Sequence, residues 1–189
     1  MCRAEVQQPQ RVADEVRTTK VRAEVTRRIV ELGRAGKARE AVSQLASMAR
    51  LGVQPDTQAA TALIYACARN GNMEMAQAAF EELFGDLLTP DDVTFSVLVR
   101  GYGECEPVQW TAISGLLSLM ERKYSRPPSI TIYNSLLEIC ARTRDMTRGE
   151  EVVGRMARAG VLPDEDTVEV IRNRKAMRTL LKRTFGAEA

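Results

Sequence analysis

The sequence predicts an all-α fold, a right-handed α-solenoid of stacked antiparallel helix pairs. A short Pro-Asp motif recurs at intervals of about 35 residues, and two apolar stripes recur at helical spacing between its copies. Of the 189 residues, 44% are hydrophobic and 28% are charged, a balance typical of a buried core with a solvated surface. No run approaches the roughly 18 consecutive apolar residues that cross a bilayer, so we expect no membrane span.

The motif divides the chain into four repeat units. Three units end in the tripeptides Gln54-Pro55-Asp56, Thr89-Pro90-Asp91 and Leu162-Pro163-Asp164, and one ends in the degenerate segment Arg126-Pro127-Pro128-Ser129. The residue before a proline is pushed out of the helical conformation, and the aspartate after it suits the N-cap of the next helix. The predicted units within 22-164 are 22-56, 57-91, 92-129 and 130-164.

Each unit is predicted to contain two amphipathic helices, because the residues at i, i+3, i+4 and i+7 in both of its halves are apolar with few exceptions, such as Arg28. The third unit shows the pattern with Phe95, Leu98, Val99 and Tyr102 in its first half and Ile113, Leu116, Leu117 and Met120 in its second. Gly36 and Gly71 fall between the two helices of their units, where a left-handed residue is needed. The third unit has no such glycine, and we expect an irregular loop around Pro107.

The two ends depart from the repeat. We expect residues 1-21 to form a partly disordered N-terminal extension or cap, helical from about position 12. Residues 165-189 are predicted to form a partial fifth repeat and a basic C-terminal cap. Between positions 172 and 183 this cap contains six cationic residues and no acidic residue, although the whole chain has a net charge of only +2. We predict phosphate contact by this run, a solvated helix face being the alternative: Arg172, Arg174, Lys175, Arg178, Lys182 and Arg183.

Catalysis has no candidate residues in this composition. Histidine is absent, which removes the commonest general base and the usual nitrogen ligand of zinc. The four cysteines have neither zinc nor redox spacing. The acidic clusters at 91-92 and 164-166 could hold magnesium, but each begins a predicted helix, where the helix dipole favours acids. We therefore predict no metal, no cofactor and no enzymatic activity.

The motifs and their spacing resemble the pentatricopeptide repeat family. The openings Val93-Thr94-Phe95-Ser96 and Ile132-Tyr133-Asn134-Ser135 are similar to the start of that family's repeat, and segment 68-76 is similar to its mid-repeat turn. A tetratricopeptide repeat would instead carry Trp, Gly and Tyr early in its unit, and only fragments of that pattern are present. The resemblance covers 22-164 and implies binding of single-stranded RNA, with one base for each repeat.

The resemblance assigns base contact to the fifth and last residues of each unit and base sandwiching to the second. A Thr with Asp resembles a guanine reader, an Asn with Asp resembles a uracil reader, and Ser with Ser matches no strong pairing. We expect the fifth residues to lie opposite the apolar stripe, whereas capping alone could account for the aspartates. The base-contacting pairs are Thr26 with Asp56, Thr61 with Asp91, Ser96 with Ser129, and Asn134 with Asp164; the sandwiching residues are Ala23, Gln58, Val93 and Thr131.

Two functions stay open at this point. By the resemblance, the chain is an organellar RNA-binding factor in splicing, stabilisation or translation, in a chloroplast rather than a mitochondrion. The alternative is a protein-interaction scaffold subunit of a ribosome, polymerase or photosynthetic assembly. Stacking contributes about 1–3 kcal/mol per base, whereas association costs about 4–15 kcal/mol, so four units bind weakly. We therefore expect a protein partner or a homodimer.

Overall fold

The computed structural model describes residues 7–85 and 87–186, which contain ten α-helices and no strand. The chain divides into two compact units, Met1–Pro90 and Asp91–Ala189. In each unit, short turns join consecutive helices into antiparallel pairs, and the pairs pack on one another. The predicted all-α fold of stacked helix pairs is confirmed. Over the described residues, no helix is both long enough and apolar enough to traverse a bilayer.

The unit Met1–Pro90 consists of two helix pairs. Helix α1 packs against α2 and α3, and α3 packs against α4. The turns within the pairs close at Gly36 and Gly71, whose φ angles of +79° and +71° confirm the predicted left-handed positions. The helices are α1 (Gln7–Arg34), α2 (Ala38–Arg50), α3 (Thr57–Arg69) and α4 (Met73–Phe84).

Helix α1 begins well before the predicted boundary at residue 22. Residues 12–21, for which the sequence predicts a helix, belong to this 28-residue helix, and so do residues 7–11, which lie in the part predicted to be disordered. Their sequence lacks glycine, and Pro9 stands in the first turn, where backbone N–H groups have no intrahelical partner. Local sequence therefore permits a continuous helix through this segment. Residues 1–6 lie outside the described part of the chain.

The first helices of neighbouring pairs approach closely through a glycine. A Cβ atom on Gly33 of α1 would lie 2.6 Å from the Cβ and 2.9 Å from the Cα of Ala66 in α3. The Asn70 side chain also donates a hydrogen bond to the Gly33 carbonyl at 3.0 Å. Small side chains thus set the distance between α1 and α3.

The unit Asp91–Ala189 consists of two full helix pairs followed by a shorter one. Helix α5 packs against α6 and α7, α7 packs against α8 and α9, and α8 packs against α10. The predicted irregular loop is the segment 105–109, between α5 and α6. The helices are α5 (Asp92–Glu104), α6 (Trp110–Tyr124), α7 (Ile130–Thr143), α8 (Met146–Arg158), α9 (Glu165–Val170) and α10 (Lys175–Phe185).

Candidate nucleic-acid interface

The fifth residues of the predicted units lie on the first helices of their pairs and are largely covered. Thr61, Ser96 and Asn134 are only 9%, 7% and 6% exposed, and Thr26 is half-buried. The expectation that these side chains lie freely opposite the apolar stripe is therefore wrong. First helices lie side by side in each unit, so a residue on the flank of the stripe is covered by its neighbours.

The aspartates that end three predicted units are N-caps, as the sequence predicts. The carboxylate of Asp56 accepts the Ala59 N–H at 2.9 Å. Asp91 and Asp164 each accept the N–H of the third residue after them at 2.8 Å. In both of those cases the third residue is a threonine whose hydroxyl accepts the aspartate's own N–H, which completes a capping box. The caps fix these carboxylates at the starts of α3, α5 and α9.

The fourth predicted pair comes together in the structure. The Asn134 side chain of α7 donates from Nδ2 to Asp164 Oδ1 at 3.0 Å. The Thr167 hydroxyl of α9 lies 2.7 Å from Asn134 Oδ1 and 2.8 Å from Asp164 Oδ1. These three side chains form one hydrogen-bonded cluster, which we name the α9 cluster. An amide and a carboxylate held side by side can present donors and acceptors to an unstacked base.

The charge state of the α9 cluster follows from its hydrogen bonds. Desolvation raises the pKa of Asp164, but the hydrogen bonds that its carboxylate accepts from the Thr167 N–H and the Asn134 amide outweigh it, so the pKa is lowered. Asp164 therefore carries a negative charge at neutral pH and serves as a hydrogen-bond acceptor.

The first and third predicted pairs are not joined. Thr26 and Asp56 share no hydrogen bond in the described part of the chain. The Ser129 hydroxyl is buried without a hydrogen-bond partner, whereas the Ser96 hydroxyl lies 3.0 Å from Ser135 Oγ of the neighbouring helix α7. Ser96 is therefore committed to packing between first helices. Thr61 and Asp91 belong to different compact units.

The predicted sandwiching residues are all exposed. Each lies near the fifth residue of its unit, three positions earlier on the same helix. Val93 is the most apolar of the four and is 59% exposed. A solvent-exposed aliphatic side chain at this place is available to stack against a base. The four are Ala23, Gln58, Val93 and Thr131.

The predicted phosphate-contacting run separates into two groups. Arg172 forms an ion pair with Glu169 at 2.7 Å. Arg174 is half-buried and donates from Nε to the carbonyl of Ala141, near the end of α7. Both arginines thus have partners within the protein. The remaining cations lie exposed on α10, opposite its buried Met177 and Leu181: Lys175, Arg178, Lys182 and Arg183.

Two features of this surface escaped the sequence analysis. One is Thr167, whose signal was readable, because a threonine three residues after a capping aspartate indicates a capping box. The other is the pair formed by Ser135 and Arg100, whose Nε donates to Ser135 Oγ at 3.2 Å. No local pattern reveals this second pair, since it depends on how α5 lies against α7.

Two cysteines, Cys67 and Cys140, are buried in the core. Burial raises the pKa of Cys67 to about 11 and the pKa of Cys140 to about 12. Both thiols are therefore protonated and behave as small apolar side chains. No group of three acidic or cysteine side chains converges on a possible metal position within residues 7–85 and 87–186.

The amino-acid sequence is similar to those of known repeat proteins. The family model of the pentatricopeptide repeat domain matches residues 44–105 and 117–173, more than half of the chain. A pentatricopeptide repeat-containing protein of Arabidopsis thaliana is 31% identical over 122 residues, which are 64% of this chain and 21% of that protein. The chain thus spans about a fifth of the length of this curated relative.

The fold of the chain is similar to that of solved pentatricopeptide repeat proteins. PPR10 in complex with an 18-nt psaJ RNA element superposes with a TM-score of 0.70 at 23% identity, over 87% of this chain and 23% of that one. PPR10 from maize superposes with a TM-score of 0.66 at 26% identity, over 84% and 23% of the two chains. The likeness shows that the stacked helix pairs have the α-solenoid fold.

Proposed function

Because the chain belongs to the pentatricopeptide repeat family, we propose that it is a single-stranded RNA-binding factor that acts without catalysis. The α9 cluster is the observation that carries this proposal. In this cluster, Asn134 Nδ2 lies 3.0 Å from Asp164 Oδ1. These are the two residues of the fourth repeat to which the family resemblance assigns base contact. A similar solved protein, PPR10, is bound to an RNA element.

The four units are proposed to favour the sequence 5′-G-G-N-U-3′. The first two units carry Thr with Asp, the fourth carries Asn with Asp, and the third carries Ser with Ser, which matches no strong pairing. Wrong bases leave polar groups unpaired, which costs about 1–3 kcal/mol each.

Selection of binders from a random RNA pool tests this preference. The double variant T26N/T61N should shift the first two positions from guanine toward uracil, whereas T147N, at an exposed threonine of α8, should select the wild-type sequence. Identical preferences of T26N/T61N and the wild type would reject base reading. Absence of enrichment by the wild type would reject RNA binding itself.

The exposed cations of α10 are proposed to contact phosphate. Such contacts carry no sequence information, so their loss should weaken the binding of all RNAs alike. Replacing Lys175, Arg178, Lys182 and Arg183 with glutamine should lower the slope of log K against log salt by about 0.7 for each lost phosphate contact. The matched control is R172Q, because Arg172 is already paired with Glu169. An unchanged slope in the fourfold variant would assign the run to a solvated helix face.

A scaffold function is the second candidate, and one observation in the compact unit Met1–Pro90 favours it. Helices α2 and α4 leave a groove between them that is lined mainly by small and apolar side chains, a surface suited to a protein partner. The weak binding expected of four units also favours a partner or a homodimer. In sedimentation and pull-down experiments, A46E/A78E should remove such a partner and leave RNA affinity unchanged. The lining includes Val42, Ala46, Ala49, Met75, Ala78 and Ala79.

An organellar location, in a chloroplast rather than a mitochondrion, is proposed from the family. The role in splicing, stabilisation or translation depends on the transcript bound. The endogenous protein can be crosslinked in isolated chloroplasts and mitochondria and the attached RNA sequenced. This experiment identifies the organelle and the transcript bound. Recovery of protein crosslinks without RNA would favour the scaffold function.

A further inference from the structure

The single proton of the Thr167 hydroxyl has one destination in the α9 cluster. The hydroxyl accepts the Asp164 backbone N–H at 3.0 Å, and it lies within hydrogen-bond distance of both Asn134 Oδ1 and Asp164 Oδ1. Asp164 Oδ1 already accepts the Thr167 N–H and the Asn134 amide. Asn134 Oδ1 has no other donor among the described residues and lies nearer, at 2.7 Å. The proton therefore belongs to the bond with Asn134.

These bonds permit one orientation of the Asn134 amide. If its nitrogen and oxygen exchanged places, the amide oxygen would face a carboxylate oxygen at 3.0 Å, and two acceptors would repel. Thr167 is 0% exposed and Asn134 is 6% exposed, so an unmet polar group here is costly. The oriented amide keeps one N–H and one oxygen lone pair, which match the carbonyl and the neighbouring N–H of a uracil edge.

The starts of the other first helices show that this arrangement is not a general consequence of the fold. At the place that corresponds to Thr167, α3 has Ala59 and α7 has Ile132, neither of which carries a hydroxyl. Thr94 of α5 carries one and completes a capping box with Asp91. A capping box and an oriented asparagine are thus separable properties, and only the first is required to start a helix.

From this geometry we infer that Thr167 is a positioning residue for base reading: its hydroxyl and the Asp164 carboxylate together hold the Asn134 amide in the orientation that selects the base opposite the fourth unit. The inference rests on the proposed RNA binding and adds a residue outside the fifth and last positions. Thr167 itself acts through Asn134.

Two substitutions at one position separate the hydroxyl from the rest of the side chain. T167V keeps the shape and removes the hydroxyl, whereas T167S keeps the hydroxyl. T94V is the matched control, because it removes the hydroxyl of the other capping box. The substitution N134T identifies the RNA position read by the fourth unit, as the position whose preference it changes. Affinities are then measured for four RNAs that differ only at that base.

In T167V, the ratio of affinities for the preferred and the other bases should fall about tenfold, as expected for one lost hydrogen bond to a buried group. T167S should restore the ratio, and T94V should leave it unchanged at this base. The NMR signals of the Asn134 side-chain amide, recorded without RNA, should shift in T167V and return in T167S.

Three outcomes would overturn the inference. The first is a wild-type affinity ratio in T167V, together with unchanged RNA binding. The second is an equal loss of affinity for all four RNAs in T167V that T167S does not restore, which assigns a folding role to Thr167. The third is the absence of RNA binding by the wild type, which rejects the proposed function as well, whereas the first two leave that function standing.

Discussion

The two compact units differ in the number of side-chain hydrogen bonds that link their first helices. In Met1–Pro90, α1 and α3 meet where a glycine lies against a small side chain, Asn70 donates to the Gly33 carbonyl, and the pair Thr26 and Asp56 is not joined. In Asp91–Ala189, α5, α7 and α9 are also linked by side-chain hydrogen bonds between buried groups, through Ser135 and through the α9 cluster. One helix-pair template therefore accepts either close backbone approach or polar linkage between neighbours.

The largest effect is expected where backbone approach is closest. G33A should lower the free energy of unfolding by up to about 3 kcal/mol, because the added Cβ would meet the Cα of Ala66 at 2.9 Å and one helix must move. Chemical denaturation followed by circular dichroism measures the change.

Two glycines serve as controls for G33A. G103A should cost less, since the atoms it meets belong to the Ile139 side chain and not to the backbone of the neighbouring helix. G115A meets nothing within 4 Å and should raise stability, by about 0.5–1 kcal/mol, through helix propensity alone. Equal changes in the unfolding free energy of G33A and G115A would show that the close approach of α1 and α3 at Gly33 does not contribute to the stability of Met1–Pro90.

The two capping aspartates should differ when each is removed. D56A should cost about 1 kcal/mol for the lost N-cap. D164A should cost about 2 kcal/mol, because it also leaves the Asn134 amide without its acceptor. Denaturation curves of the two variants, recorded side by side, provide the measurement. If D56A lowered the unfolding free energy as much as D164A or more, the result would contradict a stabilising hydrogen bond between Asn134 and Asp164.

Removal of the Ser135 hydroxyl should have a smaller effect. S135A leaves the Ser96 hydroxyl and the Arg100 Nε without this partner and should cost about 1 kcal/mol. In a double-mutant cycle, S96A/S135A should recover part of that loss, because two apolar neighbours leave no hydroxyl unpaired. Strict additivity of the two substitutions would show that the bond does not stabilise the pairing of α5 and α7.

The smallest effect is a pH dependence. The pKa of Asp164 is lowered in the folded state, so its contribution to stability is present above the unfolded value of about 3.9 and is lost as the pH falls through the folded value. The difference in unfolding free energy between the wild type and D164N should be constant near neutral pH and decrease below about pH 4. Urea denaturation across this range measures it. Parallel curves at all pH values would contradict the shift.

Local signals in the sequence were sufficient for much of the fold. The Pro-Asp motifs predict the capped helix starts at Asp56, Asp91 and Asp164, because a cap depends on residues within one turn. Gly36 and Gly71 predict the turns for the same reason. The helical state of residues 12–21 was predicted, whereas that of residues 7–11 was also readable locally, from the absence of glycine, and was missed.

The candidate site was less predictable because it depends on contacts between helices. The burial of Ser96 arises from α7, whose Ser135 is 39 positions away in the chain. Arg174 likewise reaches a carbonyl 33 positions away, which no charge pattern reveals. Which side chains are available for base reading can therefore be predicted only when the packing of the first helices is known.

The α9 cluster spans the Pro-Asp boundary by which repeats are counted. Asn134 and Asp164 belong to one repeat, and Thr167 belongs to the next. A cassette cut at 130–164 and moved to another array would carry the asparagine and the aspartate but leave the threonine behind. If it were placed before a helix that begins like α3, with Ala59 in the third position, the amide would lose its hydroxyl donor. A segment that is exchanged by recombination, in evolution or in engineering, must therefore extend past the end of the repeat. It must include the first turn of the following helix to keep the α9 cluster intact.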